Sequence, residues 1–286
     1  MSHAAYRLFE PEKRTSCVVF ASPHSGRSYF DSFKNASILD DVTIRSSEDA
    51  FVDHLFDSAQ AFGAPFLTAT APRAYLDLNR SPEELDPALI EGVSRSRQNP
   101  RVASGLGVIP RVVANGRSIY RGKLPHSEAM RRISSFWRPY HARLQGVLDE
   151  SRKMFGQTVL IDCHSMPREA LDGVAKSSGR RPHIVLGDRF GAAAHGDIMD
   201  HVESAFVSAG LDVVRNTPFA GAYVTQTYGR PSRGQHAIQV EIDRSLYMDE
   251  HLVRPNAGFD QFRGQMRQVV AKLTDIGKQK QSLAAE

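Results

Sequence analysis

The sequence predicts a three-layer α/β/α fold around a mixed, mainly parallel sheet. Short β-branched or apolar runs alternate with longer stretches of helical periodicity, the pattern that places a sheet between two layers of helices. No internal repeat, low-complexity tract or Pro/Ser-rich linker divides the 286 residues, so residues 1–286 read as one domain with decorated loops.

The elements follow in order. Residues 17–21 read as a strand that ends in a Pro-His-Ser-Gly turn. Residues 48–62 read as a helix with Phe51, Val52, Leu55, Phe56 and Ala59 on one face and Gly63 as its stop. A strand follows at 65–69. Helical spacing returns over 128–155, with an interruption near Pro139 and Gly156 as the close, before the strongly apolar strand 158–163. Strand 183–186 precedes a helix through Ile198, Val202 and Phe206, and strand 211–214 comes after a glycine stop. The last strand is 237–242. A final helix carries Phe259, Phe262, Met266, Val269, Val270 and Leu273, and the tail from 277 is expected to fray. Two long loops remain, 81–126 and 166–182; loops of that length usually build or cover a site.

Composition excludes several classes. A hydrophobic share of 41% and a charged share of 24% suit a soluble globular chain rather than a disordered one. The net charge of +4 is small and the arginines are scattered, which argues against nucleic acid as partner. Cys17 and Cys163 lie inside apolar runs, where reduced cysteine behaves as a small hydrophobe, so a cytoplasmic address is expected. The first thirteen residues lack the apolar core of a signal peptide, and no run approaches the ~20 apolar residues of a membrane span. Oligomeric state is not legible.

Two histidines follow strands directly, His24 after the first and His164 after the most hydrophobic one. Ligands of open α/β sheets gather beyond the carboxyl ends of the strands, so both imidazoles are expected in one crevice, an arrangement suited to a metal. Catalytic zinc commonly takes three protein ligands and keeps one position open. Glu48 and Asp49 are the candidates for the third ligand, although Ser46 with Asp49 also has the spacing of a helix cap. In Gln239-Val240-Glu241-Ile242-Asp243, period-two alternation sets Glu241 on a polar face of a central strand, and a buried carboxylate there reads as a general base. The segment from Pro72 to Arg80 supplies the anion side. Asn79 with Arg80 suits a substrate carboxylate, and Arg73 suits a second anion contact or a developing oxyanion. Cys163 as nucleophile is disfavoured, because neighbours on a strand point to opposite faces.

With these residues assembled, the chain resembles the N-formylglutamate amidohydrolase family from about Val18 to about Tyr247. The matching pieces are SPHSG around His24, DAFVDHLF from Asp49, PRAYLDLNR over 72–80, LIDCHSMP around His164, PFAGAYVT from Pro218 and QVEIDRSLYMDE around Glu241. That family is similar in turn to the zinc carboxypeptidases and aspartoacylase, whose sites use two histidines and a glutamate for zinc, an Asn-Arg pair for the substrate carboxylate and a late-strand glutamate as base. The resemblance implies a zinc-carboxypeptidase-like fold and a single zinc ion, other divalent metals being possible, with His24 and His164 as ligands. It also implies Asn79 and Arg80 as the clamp and Glu241 as the base. One departure stands out: the acid three residues after the first histidine is replaced by Arg27, so the third ligand falls to Glu48 or Asp49.

The implied reaction is hydrolysis of N-formylglutamate, a small acidic N-acyl amino acid, to formate and glutamate in histidine breakdown. A second substrate carboxylate calls for another cation, for which Arg111, Arg121 and Arg230 in Gly-flanked loops are candidates. The competing readings are a deacylase or carboxypeptidase of other specificity and a noncatalytic binding protein for acidic metabolites.

Overall fold

The computed structural model describes residues 4–94, 100–174 and 181–278. Seven strands form one sheet: β1 Tyr6–Phe9, β2 Val18–Ser22, β3 Phe66–Ala69, β4 Thr158–Met166, β5 Ile184–Gly187, β6 Val213–Arg215 and β7 Gln235–Asp243, in the order β1-β3-β2-β4-β7-β5-β6. Strands β3, β2, β4 and β7 run parallel; β1 is antiparallel to β3, and β5 is antiparallel to β7. The sheet is therefore mixed and mainly parallel, with its parallel block in the middle.

Apolar side chains cover both faces of that block, as a sheet sandwiched by helices requires. On one face Phe20, Ile161, Cys163, Val240 and Ile242 join the core with helices α2 Val52–Leu55, α6 Gly196–Val207 and α8 Phe259–Leu273. On the other, Val19, Leu67, Leu160 and Ala237 pack with α4 His126–Arg132, α5 Arg138–Phe155 and α7 Tyr223–Tyr228. The short helix α1 Asp31–Ala36 packs on that second side through Phe33, and another short helix, α3 Pro100–Ala103, lies within the loop 81–126. Both cysteines are buried thiols. Among the described residues no helix is long and apolar enough to cross a membrane.

Several boundaries differ from the sequence expectation, each for a local reason. The helix expected over 48–62 is broken: residues before Phe51 form a turn, Phe51 adopts a left-handed conformation (φ 65°), and after α2 a 3-10 helix covers Asp57–Phe62. No capping box forms, since the hydroxyls of Ser46 and Ser47 are buried without hydrogen bonds. The interruption expected near Pro139 is a π-helical turn, Ile133–Trp137, which joins α4 to α5 without ending the helix. The Arg138 N–H there bonds back to the Ile133 carbonyl, five residues before it, and Pro139 follows in the first turn of α5, where a proline is tolerated. Strand β4 runs on to Met166, so His164 lies within the strand rather than after it. Edge strand β1 was not expected. Of the loop 81–126, residues 95–99 lie outside the described residues, as do 175–180 of the loop 166–182 and the tail beyond 278.

Candidate active site

The site lies at the carboxyl ends of β2, β4 and β7, where a mainly parallel sheet places its ligands. A cavity of about 650 Å³ opens there, floored by His24, His164, Gln239 and Glu241. Asn79, Arg73, Arg80 and Arg244 also line it, and loop residues from 101–116 and 219–222 form the walls.

Parallel pairing of β4 with β7 sets Asp162 opposite Gln239 and His164 opposite Glu241. With a period of two, all four side chains share one face, while Cys163 turns into the opposite core. His24 arrives from the turn after β2. That turn needs Gly26, because a Cβ there would lie 2.1 Å from the carbonyl oxygen of Ala71. The backbone N–H of Asp49 donates to the carbonyl of His24 (3.0 Å), which fastens the broken 46–51 turn to the histidine turn.

The result is a buried triad of His24, Asp49 and His164 whose ligand atoms all lie within 4.8 Å of one another. Both Nδ1 atoms face the same oxygen: Asp49 Oδ2 is 3.3 Å from His24 Nδ1 and 3.0 Å from His164 Nδ1. The far side of each ring meets a carboxylate. Asp77 Oδ1 lies 2.7 Å from His24 Nε2, and Asp162 Oδ2 lies 3.0 Å from His164 Nε2. Asp77 also accepts from the Asn79 backbone (2.8 Å) and from Arg73 Nε (3.0 Å). Arg244 donates to Asp49 Oδ1 (3.0 Å) and to Ser165 Oγ (3.1 Å), which fixes the carboxylate from behind.

The donor set fits a divalent cation. His24 Nδ1 is buried without a hydrogen-bond partner, an orphan that polar burial seldom leaves unless something binds there. His24 is oriented through its second nitrogen by the Asp77 carboxylate, the usual support of a metal-ligating histidine, whereas Asp162 lies close to His164 Nε2 without completing a hydrogen bond. Burial opposes charge on His164, but the neighbouring Asp162 carboxylate, helped by Asp49, outweighs it and raises the pKa well above the ordinary value. Burial likewise opposes charge on Asp49, yet its contacts with His164 and His24 hold the carboxyl well below the usual range. The surroundings favour positive charge between the rings.

Glu241 is pushed up to about 7, first by burial, with the Asp49 charge adding to the rise against the opposing charge of His164. Its Oε1 accepts from Gln239 Nε2 (2.8 Å). Gln239 is held in turn by the backbone N–H of Ala222 (3.1 Å).

Residues 16–248 match the family model of N-formylglutamate amidohydrolase. The chain belongs to the N-formylglutamate amidohydrolase family. It is similar to the crystal structure of N-formylglutamate amidohydrolase from Ralstonia eutropha, with 32% identity, a TM-score of 0.89, and coverage of 97% of this chain and 100% of that one. N-formylglutamate deformylases of Pseudomonas putida and Pseudomonas aeruginosa are 28% and 29% identical over 82% of each chain. A gene product of Agrobacterium tumefaciens, 17% identical, shares the fold with a TM-score of 0.62 over 100% of this chain and 98% of that one.

Within this member of the N-formylglutamate amidohydrolase family, the structure brings together His24, Asp49, His164, Glu241, Arg73, Asn79 and Arg80, and leaves other expected residues out. Glu48 does not join the triad: its carboxylate is held by Arg45 (2.9 and 3.1 Å) and by the Tyr29 hydroxyl (3.1 Å). The turn directs neighbouring carboxylates apart, and only Asp49 enters the histidine pair. Arg27 points outward to Asp53. Arg230 is exposed and does not line the cavity, since its segment is turned into a bridge with Gln235. Arg111 is engaged by Asp86 (2.8 Å), and Arg121 is exposed away from the cavity. Sequence reasoning missed Arg101 and Arg244. Arg244 follows the Glu241 strand directly in QVEIDR, a position from which it had to reach the same sheet end; Arg101 carries no such signal.

Proposed function

We propose that the protein is a metal-dependent amidohydrolase that cleaves N-formyl-L-glutamate to formate and L-glutamate. The observation that carries this reading is the convergence of His24 Nδ1 and His164 Nδ1 on Asp49 Oδ2, with Glu241 on the strand beside His164. The relatives bearing the N-formylglutamate deformylase name support the choice of substrate. That substrate places the reaction in histidine breakdown, and the two buried free thiols suit a reducing, cytoplasmic setting.

His24, Asp49 and His164 would hold the cation, zinc being the first choice for two imidazoles and a carboxylate. When bound, it supplies Lewis acidity to water and to the formyl oxygen. Glu241 takes the proton from the attacking water as the oxygen adds to the formyl carbon, and returns it to the amide nitrogen as the C–N bond breaks. Its position beside His164 and its raised pKa suit both halves of that task. Arg73, anchored through Nε by Asp77, presents the rest of its guanidinium to the cavity and stabilises the charge that develops on the formyl oxygen.

Asn79 and Arg80 bind a substrate carboxylate. Asn79 Oδ1 is pinned by the backbone N–H of Val224 (2.8 Å), which leaves Nδ2 with only long contacts of 3.4 Å to His164 and Gln239, so it is available to donate. Arg80 is 7% exposed, and its Nε has no hydrogen-bond partner. Kinetics on N-formyl-, N-acetyl- and peptidyl-glutamate with and without a chelator test the reading. The formyl compound is expected to lead by at least tenfold and to depend on metal; equal rates, or no turnover of any, would overturn it.

A further inference from the structure

Four arginines line the cavity, and they divide into two kinds. Arg73 and Arg244 are each neutralised inside the protein, by Asp77 (3.0 Å) and Asp49 (3.0 Å). Arg80 and Arg101 form no ion pair with any described residue, although both face the same space. Arg80 is buried. Burial, first, disfavours its charge; the Asp77 carboxylate, with Glu84, favours it, but the positive charges of Arg101 and Arg73 add to the burial and the net shift is downward. Two like charges sharing a cavity are a standing cost that an anion bound between them would relieve.

We propose that Arg101, on the short helix α3, binds the second carboxylate of a dicarboxylic N-acyl amino acid while Arg80 and Asn79 bind the first, so that this pair of guanidiniums sets selectivity for an acidic side chain. This rests on the proposed reaction and replaces Arg111, Arg121 and Arg230 as the source of the additional cation. Arg80 comes from the 72–80 segment after β3 and Arg101 from the loop that walls the cavity, so the two reach it from different directions. A one-carboxylate ligand satisfies one guanidinium and leaves the other facing its like charge. An amide in place of the side-chain carboxylate keeps the shape and removes the match, which makes glutamine the discriminating comparison.

The test compares the wild type with Arg101→Met and Arg101→Lys. The first readout is the ratio of kcat/KM for N-formyl-L-glutamate to that for N-formyl-L-glutamine. The second is the ratio of L-glutamate to L-glutamine affinity by calorimetry on the metal-loaded protein. Arg101→Met is expected to lower both ratios roughly 10- to 100-fold, with Arg101→Lys restoring part of each. Ratios unchanged within threefold, while N-formylglutamate is still hydrolysed, would overturn the role of Arg101 and leave the reaction standing. If the wild type hydrolyses neither compound, the reaction falls, and the calorimetric ratio alone decides whether Arg101 reads the second carboxylate.

Discussion

His164 and Glu241 are register partners on adjacent parallel strands, and their side chains leave the sheet side by side on the same face. A triad imidazole and the candidate base are therefore positioned by backbone hydrogen bonds of the central sheet. Neither depends on a loop.

Replacement of Glu241 by Gln keeps the volume and the contact with Gln239 but removes the base. Turnover is expected to fall about 10²- to 10⁴-fold with metal content unchanged. Steady-state kinetics beside metal analysis checks this, and loss of metal in parallel with activity would assign Glu241 to binding instead.

Arg80→Met is expected to separate stability from function. Removing a buried guanidinium with an unpaired Nε should leave the melting temperature unchanged or raise it, whereas kcat/KM should fall on the order of 10²-fold through loss of the carboxylate contact. Thermal unfolding and kinetics on one preparation suffice. A variant that melts well below the wild type would make Arg80 structural.

Buried His141 should impose an acid limit on stability. Its Nδ1 meets the Tyr228 hydroxyl (2.8 Å) and its Nε2 the Leu78 carbonyl (2.9 Å), and burial pushes it down to about 4. The folded value lies below the unfolded one near ~6.5, so the unfolded chain binds the extra proton first. Its contribution is complete above about pH 6.5 and is lost as pH falls toward 4, on the order of 3 kcal/mol in all. Urea unfolding at pH 7.5 and pH 4 should show a smaller drop in His141→Gln than in the wild type; equal drops would contradict the assignment.

Much of this was legible in the sequence because strands announce themselves. An apolar run followed by a histidine, and an alternating run with a carboxylate, place His24, His164 and Glu241 at one end of a sheet. The choice between Glu48 and Asp49 was not legible, since it turns on the irregular 46–51 segment and the left-handed Phe51, and helical periodicity carries no information about such a turn. The same irregularity broke the helix expected over 48–62. Arg101 was hidden for another reason: a loop arginine declares its role only through what it faces, and the scattered arginines look alike until the cavity lining and the ion pairs separate them.

The central claim is that His24, Asp49 and His164 form a cation site, and metal content per chain measures it most directly. Plasma mass spectrometry of wild type, His164→Ala, Asp49→Ala and Glu48→Ala, each purified with zinc present and then desalted, should find about one ion per chain in the wild type and in Glu48→Ala. The other two should hold less than a tenth of that, as expected when one of three ligands is removed. A full complement of metal in His164→Ala and Asp49→Ala, or its loss in Glu48→Ala alone, would contradict the account.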